Sequence, residues 1–197
     1  MALILIIETS TEVCSVALSE DNKLVDQIES EEGQNHARLV SVFTQNLLKR
    51  NRIQIKDLSA VAVSRGPGSY TGLRIGVSTA KGICYAGRIP LISVGTLESM
   101  TRYVISNRPE LGIDVNKPTL FCPMIDARRM EVYSILFDEM GKILKNISAE
   151  IIDESFLSGE LIEKQVVFFG NGSGKCKDVL TSENAFSYPE LRHLHHI

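Results

Sequence analysis

The chain has 197 residues, of which 44% are hydrophobic and 23% are charged. This is an ordinary globular composition, and the length allows one large domain or two small ones. The formal net charge of −3 disfavours direct, tight binding of RNA, because a binding surface would have to be locally basic against that background.

The cysteines and the first apolar segment predict a cytoplasmic protein. The four cysteines lie far apart without a C-x-x-C pair, and three sit in apolar segments, which is typical of buried thiols in a reducing compartment. They are Cys14, Cys84, Cys122 and Cys176. Residues 2–7 are apolar, but no basic residue precedes them and Glu8 ends the run, so they predict a buried strand, without membrane association.

The first part of the chain predicts the element order β-β-β-α-β-α-β-α. Three short strands with tight connections come first, and helices then alternate with strands. The predicted strands are 3–8, 13–19, 23–28, 60–63 and 91–94, and the predicted helices are 35–50, 71–86 and 97–105. Asn35 is expected to cap the first helix. The segment 107–118 then contains prolines and polar residues without a helix or strand pattern, and it is our candidate linker.

The glycine-rich stretch 64–72 organises this part of the chain. It joins the fourth strand to the second helix, and its Gly-Pro-Gly sequence can continue neither element. Ser69 or Thr71 is expected to cap the helix, and Gly87 is expected to end it.

The second helix has an unusually wide apolar arc. Only Arg74 and Lys81 are charged within it, so a single sheet should not cover it completely. Gly72, Gly76 and Ala80 follow each other at intervals of four residues and predict a groove that a second helix could approach closely.

The rest of the chain repeats the order of the first part. Residues 131–137 match 12–18 in their Glu, Val and Ser, and the strand before each ends in a carboxylate, Asp126 or Glu8. A later strand again leads into a glycine-rich stretch, 170–174. We therefore predict a duplicated β-β-β-α-β-α unit.

Two such halves are typical of the actin, sugar kinase and chaperone superfamily, whose halves are ribonuclease-H-like. The predicted fold is α/β and ASKHA-like, with a domain at 1–106, a linker at 107–118 and a smaller domain at 119–197. Three stretches closely resemble the TsaB family, also called YeaZ. They are Ile7-Glu8-Thr9-Ser10, Ser64-Arg65-Gly66-Pro67-Gly68-Ser69-Tyr70-Thr71-Gly72-Leu73-Arg74-Ile75-Gly76 and Ile125-Asp126-Ala127-Arg128.

This resemblance implies a binding protein. TsaB proteins are non-catalytic partners of TsaD in the complex that places threonylcarbamoyl on N6 of adenosine in tRNA. The resemblance also implies that TsaE joins the larger complex, that tRNA is bound only through the complex, and that the isolated chain can form a homodimer. Family members usually continue into a C-terminal helix that returns to the first domain, and this sequence is expected to lack it.

The sequence predicts no catalytic residue, metal site or cofactor. TsaD-type catalysis requires a His-x-x-x-His pair, but Val40 stands four residues after His36, which we interpret as a surface or capping residue. We interpret the histidines within 193–196 as part of a loosely held chain terminus and not as part of a site. The alternative is an active nucleotide-dependent phosphotransferase or hydrolase that uses Glu8 and Asp126 as a carboxylate pair across a cleft. In the simpler interpretation, Glu8 and Asp126 lie at the ends of strands and accept hydrogen bonds from turns.

Three stretches raise the question of anion binding. The stretch 170–175 lacks both the first glycine of a P-loop and a hydroxyl after Lys175, so a nucleotide site is disfavoured. Arg128 and Arg129 could bind an anion, but a solvated turn is favoured. The glycines around Gly66 are better explained by backbone geometry than by phosphate binding.

The predicted functional site is instead a partner-binding face on the first two helices. It should be covered by TsaD, or by a second copy of the chain when TsaD is absent. Its predicted residues are Leu39, Phe43, Leu47, Leu73, Gly76, Val77 and Ala80. Two alternatives remain: both helices only pack on each other and on their sheet, or the chain is a self-associating scaffold.

Overall fold

A computed structural model describes residues 1–31 and 35–189 of the chain. Within these residues, ten strands and four α-helices alternate much as the sequence predicts. The strands are β1 (Leu3–Glu8), β2 (Cys14–Glu20), β3 (Lys23–Ser30), β4 (Ala60–Ser64), β5 (Leu91–Val94), β6 (Thr119–Asp126), β7 (Glu131–Phe137), β8 (Ile143–Ile151), β9 (Gln165–Phe169) and β10 (Ala185–Tyr188). The helices are α1 (His36–Arg50), α2 (Tyr70–Gly87), α3 (Thr96–Ser106) and α4 (Glu160–Glu163).

The ten strands form two five-stranded sheets with the same topology. The first has the order β3-β2-β1-β4-β5, and the second, read in the same direction, has the order β8-β7-β6-β9-β10. In each sheet an antiparallel meander is extended by two parallel strands. The predicted duplication and the α/β, ASKHA-like fold class are therefore confirmed. The expected second-half helix before β9 is reduced to the four residues of α4.

The contacts divide the chain into two compact units, Met1–Thr96 and Leu97–Ile197. We call them the first and the second unit. The division falls before the expected linker 107–118, because the apolar side of α3 packs in the second unit. Leu97 and Met100 of α3 share a buried cluster with Phe121 of β6. Helical periodicity shows that α3 has an apolar face, but it does not show which sheet covers that face.

In the first unit, α1 and α2 pack on one face of the sheet. The cluster between them contains residues that are fully buried, and each such leucine, isoleucine or valine side chain contributes about 1.5–3 kcal/mol of transfer free energy. Among them are Leu5, Ile7, Val16, Leu18, Val40, Leu47, Val61 and Ala80. The Ser69 hydroxyl caps α2 as predicted, whereas the Asn35 side chain makes no capping hydrogen bond to α1. Arg88, with φ 52°, ends α2 in the position expected for Gly87.

In the second unit, both faces of the sheet are covered. α3 packs over one face, and α4 with its neighbouring loops packs over the other, where Phe168 and Cys176 are buried. Among the residues that the structure describes, no helix is long and apolar enough to cross a membrane. The histidines within 193–196, and the expectation about a missing C-terminal helix, lie outside the described residues.

Candidate functional site

The carboxylate at the end of β1 is buried, and each of its oxygens accepts a hydrogen bond. Glu8 is 4% exposed. Its Oε1 accepts a hydrogen bond from the Ser10 backbone N–H at 2.6 Å, and its Oε2 accepts one from the Ser64 hydroxyl at the end of β4. Oε1 therefore closes the turn after β1 and Oε2 ties the end of β1 to the end of β4, as in the simpler of the two interpretations.

The glycine motif brings α2 into backbone contact with the β1–β2 turn. The Ser69 N–H donates to the Ser10 carbonyl at 2.6 Å. A Cβ atom on Gly68 or Gly72 would lie under 3.0 Å from the carbonyl oxygen of Ser10 or Thr9, respectively, a distance that real Cβ atoms essentially never show. These glycines are therefore explained by the close approach of two backbone segments.

Gly76 continues this close packing, which corrects the sequence prediction of a groove for a second helix. A Cβ on Gly76 would lie under 3.0 Å from Oγ1 of Thr9. Gly72, Gly76 and Ala80 form a buried stripe of α2 that faces its own unit. A pattern of small residues shows that another backbone segment packs closely against the helix. It does not show whether that segment is a turn of the same unit or another helix.

His36 is buried at the start of α1, which corrects its interpretation as a surface or capping residue. It is 7% exposed, and its Nε2 lies 3.0 Å from the carbonyl oxygen of Thr11, so the protonated nitrogen donates to that oxygen. The ring thus ties α1 to the same β1–β2 turn that carries the glycine contacts. A lone histidine in a helix gave no sequence signal for this long-range contact.

In the second unit, the equivalent carboxylate is exposed and paired with a lysine. Asp126 ends β6, and its Oδ1 accepts hydrogen bonds from Lys175 Nζ and, at 2.9 Å, from the Arg128 N–H. Lys175 also donates to the Glu131 carbonyl at 2.7 Å. Partial burial raises the pKa of Asp126, but the hydrogen bonds from Lys175 and Arg128 outweigh it, and the pKa is lowered overall. Lys175 is thus engaged within its own unit.

The glycines of the second unit repeat the arrangement of the first. Gly170, with φ 97°, packs on the Met124 carbonyl, and Gly172 approaches the backbone of Ile125 and Asp126. They lie in the turn after β9, as Gly68 lies in the turn after β4. The stretch 170–175 therefore packs against the end of β6.

The described residues contain no group of three or more histidine, cysteine or acidic side chains that could hold a metal ion. All four cysteines are free and buried, as the sequence predicts. Burial, together with the negative charge of Glu8, raises the pKa of the Cys14 thiol to about 11, and burial raises the pKa of Cys122 still further. At neutral pH these two thiols are protonated and poorly nucleophilic.

The two helices of the predicted partner-binding face do pack side by side, but three predicted residues do not point outward. Leu47 and Ala80 are 0% exposed, and Gly76 is buried against Thr9. The remaining four are half-buried. They are Leu39, Phe43, Leu73 and Val77. The apolar arcs of α1 and α2 are thus largely used by their own unit.

The surface of this helix pair has a groove of about 650 Å³ that the sequence did not reveal. It lies between α1, α2 and the 3₁₀ turn Ile55–Asp57. Its apolar lining includes Leu48, Ile53 and Ile83, and Gln45 is an exposed lining residue on α1. Helical periodicity places Leu48 and Ile83 on the flanks of α1 and α2, whereas Ile53 follows α1, and only the tertiary packing brings these residues together.

Two tyrosines extend the outer surface of α2. Tyr70 is 75% exposed and Tyr85 is 89% exposed. The Arg74 guanidinium lies 5.4 Å from the centre of the Tyr70 ring. Exposed aromatic residues are enriched in protein–protein interfaces, so the two tyrosines support this surface as a candidate partner-binding site.

Comparisons with known proteins agree with this architecture. Residues 25–189 match the sequence model of a family described as TsaD, tRNA N6-adenosine threonylcarbamoyltransferase. The tRNA threonylcarbamoyladenosine biosynthesis protein TsaB of Escherichia coli is 35% identical over 130 residues, which cover 66% of this chain and 52% of that protein. The TsaB protein of Bacillus subtilis is 28% identical over 183 residues, which cover 90% of this chain and 74% of that protein.

The fold is also that of a solved relative. A Pseudomonas aeruginosa protein described as similar to the peptidase YEAZ superposes with a TM-score of 0.78 at 22% identity, covering 98% of this chain and 90% of that one. The chain spans about half the length of the E. coli protein that it matches. From the matched residues, we conclude that the chain belongs to the family of the TsaD sequence model and is a relative of the TsaB proteins.

Proposed function

We propose that the chain is a non-catalytic component of the cytoplasmic complex that forms N6-threonylcarbamoyladenosine in tRNA, and that TsaD is its main partner. The observation that carries this proposal is the match of residues 25–189 to the TsaD family together with relatives named as TsaB. TsaE joins the larger complex, and the isolated chain forms a homodimer when TsaD is absent.

The hydrogen bonds at the strand ends support a non-catalytic role. Both oxygens of Glu8 are occupied by groups of its own unit, and Asp126 is held by Lys175. A general base needs a free lone pair directed at the substrate proton. Glu8 is 4% exposed, so its lone pairs are shielded from a substrate, and Asp126 is held by a cation that lowers its pKa and weakens it as a base; both observations disfavour the phosphotransferase or hydrolase alternative.

The surface of the α1–α2 pair supports the partner-binding role. We propose that TsaD covers the half-buried residues Leu39, Phe43, Leu73 and Val77 together with the groove beside them. The groove combines an apolar floor with an exposed polar rim, which is the composition of a typical protein interface.

A substitution at the groove rim tests this proposal. Gln45→Arg places a large charged side chain beside the groove without burying it in the core, since Gln45 is exposed. We expect a loss of roughly tenfold or more in affinity for TsaD, about 1.4 kcal/mol, with an unchanged unfolding midpoint. Ala80→Glu is unsuitable for this test, because Ala80 is 0% exposed and the buried carboxylate would unfold the first unit.

The matched control is Asn46→Arg. Asn46 is the next residue of α1 and is also exposed, but it does not line the groove. Affinity for TsaD is measured by titration, and the mass of the chain alone is measured in parallel to follow the homodimer. Binding of a folded Gln45→Arg variant at wild-type strength would overturn the assignment of the groove.

A further inference from the structure

The turn between β6 and β7 carries two consecutive arginines in the left-handed backbone region. Arg128 has φ 74° and Arg129 has φ 45°, and both are exposed. The turn is closed by backbone hydrogen bonds: the Glu131 N–H donates to the Arg128 carbonyl at 3.0 Å, and the Ala127 N–H donates to the Glu131 carbonyl at 3.1 Å. Together with the Asp126 carboxylate, which accepts from the Arg128 N–H, and Lys175, which donates to the Glu131 carbonyl, these bonds define the turn without the two guanidinium groups.

The turn does not need arginine for its own stability. A left-handed conformation costs an ordinary L-residue about 1–2 kcal/mol, and glycine or asparagine would adopt it more easily. Among the described residues, neither guanidinium forms a hydrogen bond or an ion pair. The adjacent carboxylate, Asp126, is bound by Lys175 Nζ and by the Arg128 backbone. Two neighbouring positive charges are thus exposed without a hydrogen-bonded or ion-paired side chain in the described part of their unit, although the charge of Arg128 helps to lower the pKa of Asp126.

The corresponding turn of the first unit shows that this charge is not a requirement of the topology. There, Thr9 and Ser10 follow the strand end, and they are 0% and 1% exposed. α2 packs directly on them through its glycines. The duplicated unit therefore accepts an uncharged, covered turn at this position, and the second unit instead has an open, doubly positive one.

Two adjacent guanidinium groups are suited to phosphate oxygens. Each presents a planar fork of donors that matches a phosphate, and such contacts position a protein on nucleic acid independently of base sequence. We propose that the Arg128–Arg129 turn contacts the phosphate backbone of the tRNA on which the complex acts. This inference rests on the proposed function. Because the chain is acidic overall, the turn supplies a local contact that adds to the binding made by the rest of the complex.

The test uses the full chain assembled with TsaD and an unmodified tRNA transcript, with affinity measured over a series of salt concentrations. The double variant Arg128→Asn/Arg129→Asn keeps residues that tolerate the left-handed region and removes both charges. We expect roughly tenfold weaker binding at low salt. The slope of log K against log salt should become shallower by about 1.4–1.8, because each lost phosphate contact contributes about 0.7–0.9.

The matched control is Arg52→Asn/Arg88→Asn. These two arginines are also exposed and left-handed, with φ 57° and 52°, but they lie in the first unit. The control therefore makes the same change in net charge and in backbone preference. Both double variants should unfold at the same denaturant concentration as the wild type or at a higher one.

A loss of affinity and slope confined to the Arg128/Arg129 variant would support the inference. An equal loss in the control would overturn it, because the effect would then follow net charge alone. Unchanged binding in the Arg128/Arg129 variant would also overturn it. A third result would overturn it as well: the wild-type chain binds inorganic phosphate or ATP, and the Arg128/Arg129 variant loses this binding but keeps its affinity for tRNA. The turn would then serve a small phosphate ligand.

Failure of the proposed function is a different result. It would appear as a wild-type chain that does not assemble with TsaD. Failure of the present inference would appear as an assembled complex whose tRNA affinity does not depend on Arg128 and Arg129. If the wild-type chain does not assemble with TsaD, the inference is overturned together with the proposed function on which it rests, because no complex would then bring the turn to the tRNA.

Discussion

The end of the first strand is built differently in the two units, although their sheets have the same order. In the first unit, Glu8 is 4% exposed, and the residues that follow it, Thr9 and Ser10, are packed against the glycines at the start of α2. In the second unit, Asp126 is exposed, pairs with Lys175 and is followed by two arginines. A topology can thus be retained while the same position changes from a packing site to a charged surface.

This difference has an energetic consequence. Contacts at a buried end are strong and intolerant of added atoms, because interiors are close-packed and neighbouring backbone cannot move. Contacts at an exposed end are screened by water and change stability little. Equivalent substitutions in the two units should therefore have unequal effects.

The largest difference is expected at the glycines. Gly72→Ala places a Cβ under 3.0 Å from the Thr9 carbonyl oxygen, whereas in Gly172→Ala the nearest atoms, of Ile125 and Asp126, lie at 3.0 Å. We expect Gly72→Ala to lower the free energy of unfolding by about 3 kcal/mol and Gly172→Ala by about 1 kcal/mol. Urea unfolding of both variants measures this.

Gly82→Ala is the control within the same helix. Nothing lies within 4 Å of a Cβ built on Gly82, so the only effect is the better helix propensity of alanine. This variant should be more stable by about 0.5–1 kcal/mol. If Gly72→Ala were as stable as Gly82→Ala, the close approach of α2 to the β1–β2 turn would be wrong.

The second difference concerns the two carboxylates. Glu8→Gln weakens the charge-assisted hydrogen bonds from Ser10 and Ser64 in a buried position, and we expect a loss of about 1.5–3 kcal/mol. Asp126→Asn affects an exposed pair and should cost less than about 1 kcal/mol. Denaturant unfolding compares the two.

The same variants test the catalytic alternative. In cells, a folded Glu8→Gln chain should still support tRNA modification, because Glu8 acts as a structural acceptor. If modification were lost while the fraction of folded protein stayed high, the phosphotransferase or hydrolase alternative would return. ATP turnover by the purified wild-type chain, reduced in Glu8→Gln, would point the same way.

Local sequence signals predicted the elements well because they depend on near neighbours. The bounds of β1 and β5, the Ser69 cap and the repeated order of the two halves all follow from short patterns. The predictions are wrong where the residues that cover a helix face, or bind a side chain, are distant in sequence. Ala80 was placed outward because an apolar arc does not reveal what covers it, and His36 was misjudged because its partner, Thr11, lies 25 residues away.

Part of the candidate site could not be predicted for the same reason. The groove lies where the flank of α1 meets that of α2 and the 3₁₀ turn, and no one segment carries a signal for it. The arginine turn was visible in the sequence as Arg128-Arg129. Its left-handed backbone, and the engagement of Asp126 by Lys175, were not.

The smallest expected effect is the pH dependence that Asp126 contributes in the second unit. The pKa of Asp126 lies below its ordinary value of 3.8 in the folded chain, because the hydrogen bonds from Lys175 and Arg128 outweigh the effect of partial burial. The unfolded chain therefore takes up a proton at Asp126 before the folded chain does as the pH falls. The contribution of the pair is complete above pH 3.8 and is lost as the pH falls through the lower, folded pKa.

Lys175→Met removes the lysine half of this pair. Since Asp126 is exposed, we expect a loss of less than about 1 kcal/mol near neutral pH, and the stability curves of the variant and the wild type should converge in acid. Asp153 serves as the internal control, because its pKa is lowered by hydrogen bonds from Ser155 and not by Lys175. The loss of stability that Asp153 causes as the pH falls should persist in Lys175→Met. A stability difference that stays constant or widens below pH 3.8 would show that Lys175 acts through its hydrogen bond to the Glu131 carbonyl, and not through Asp126.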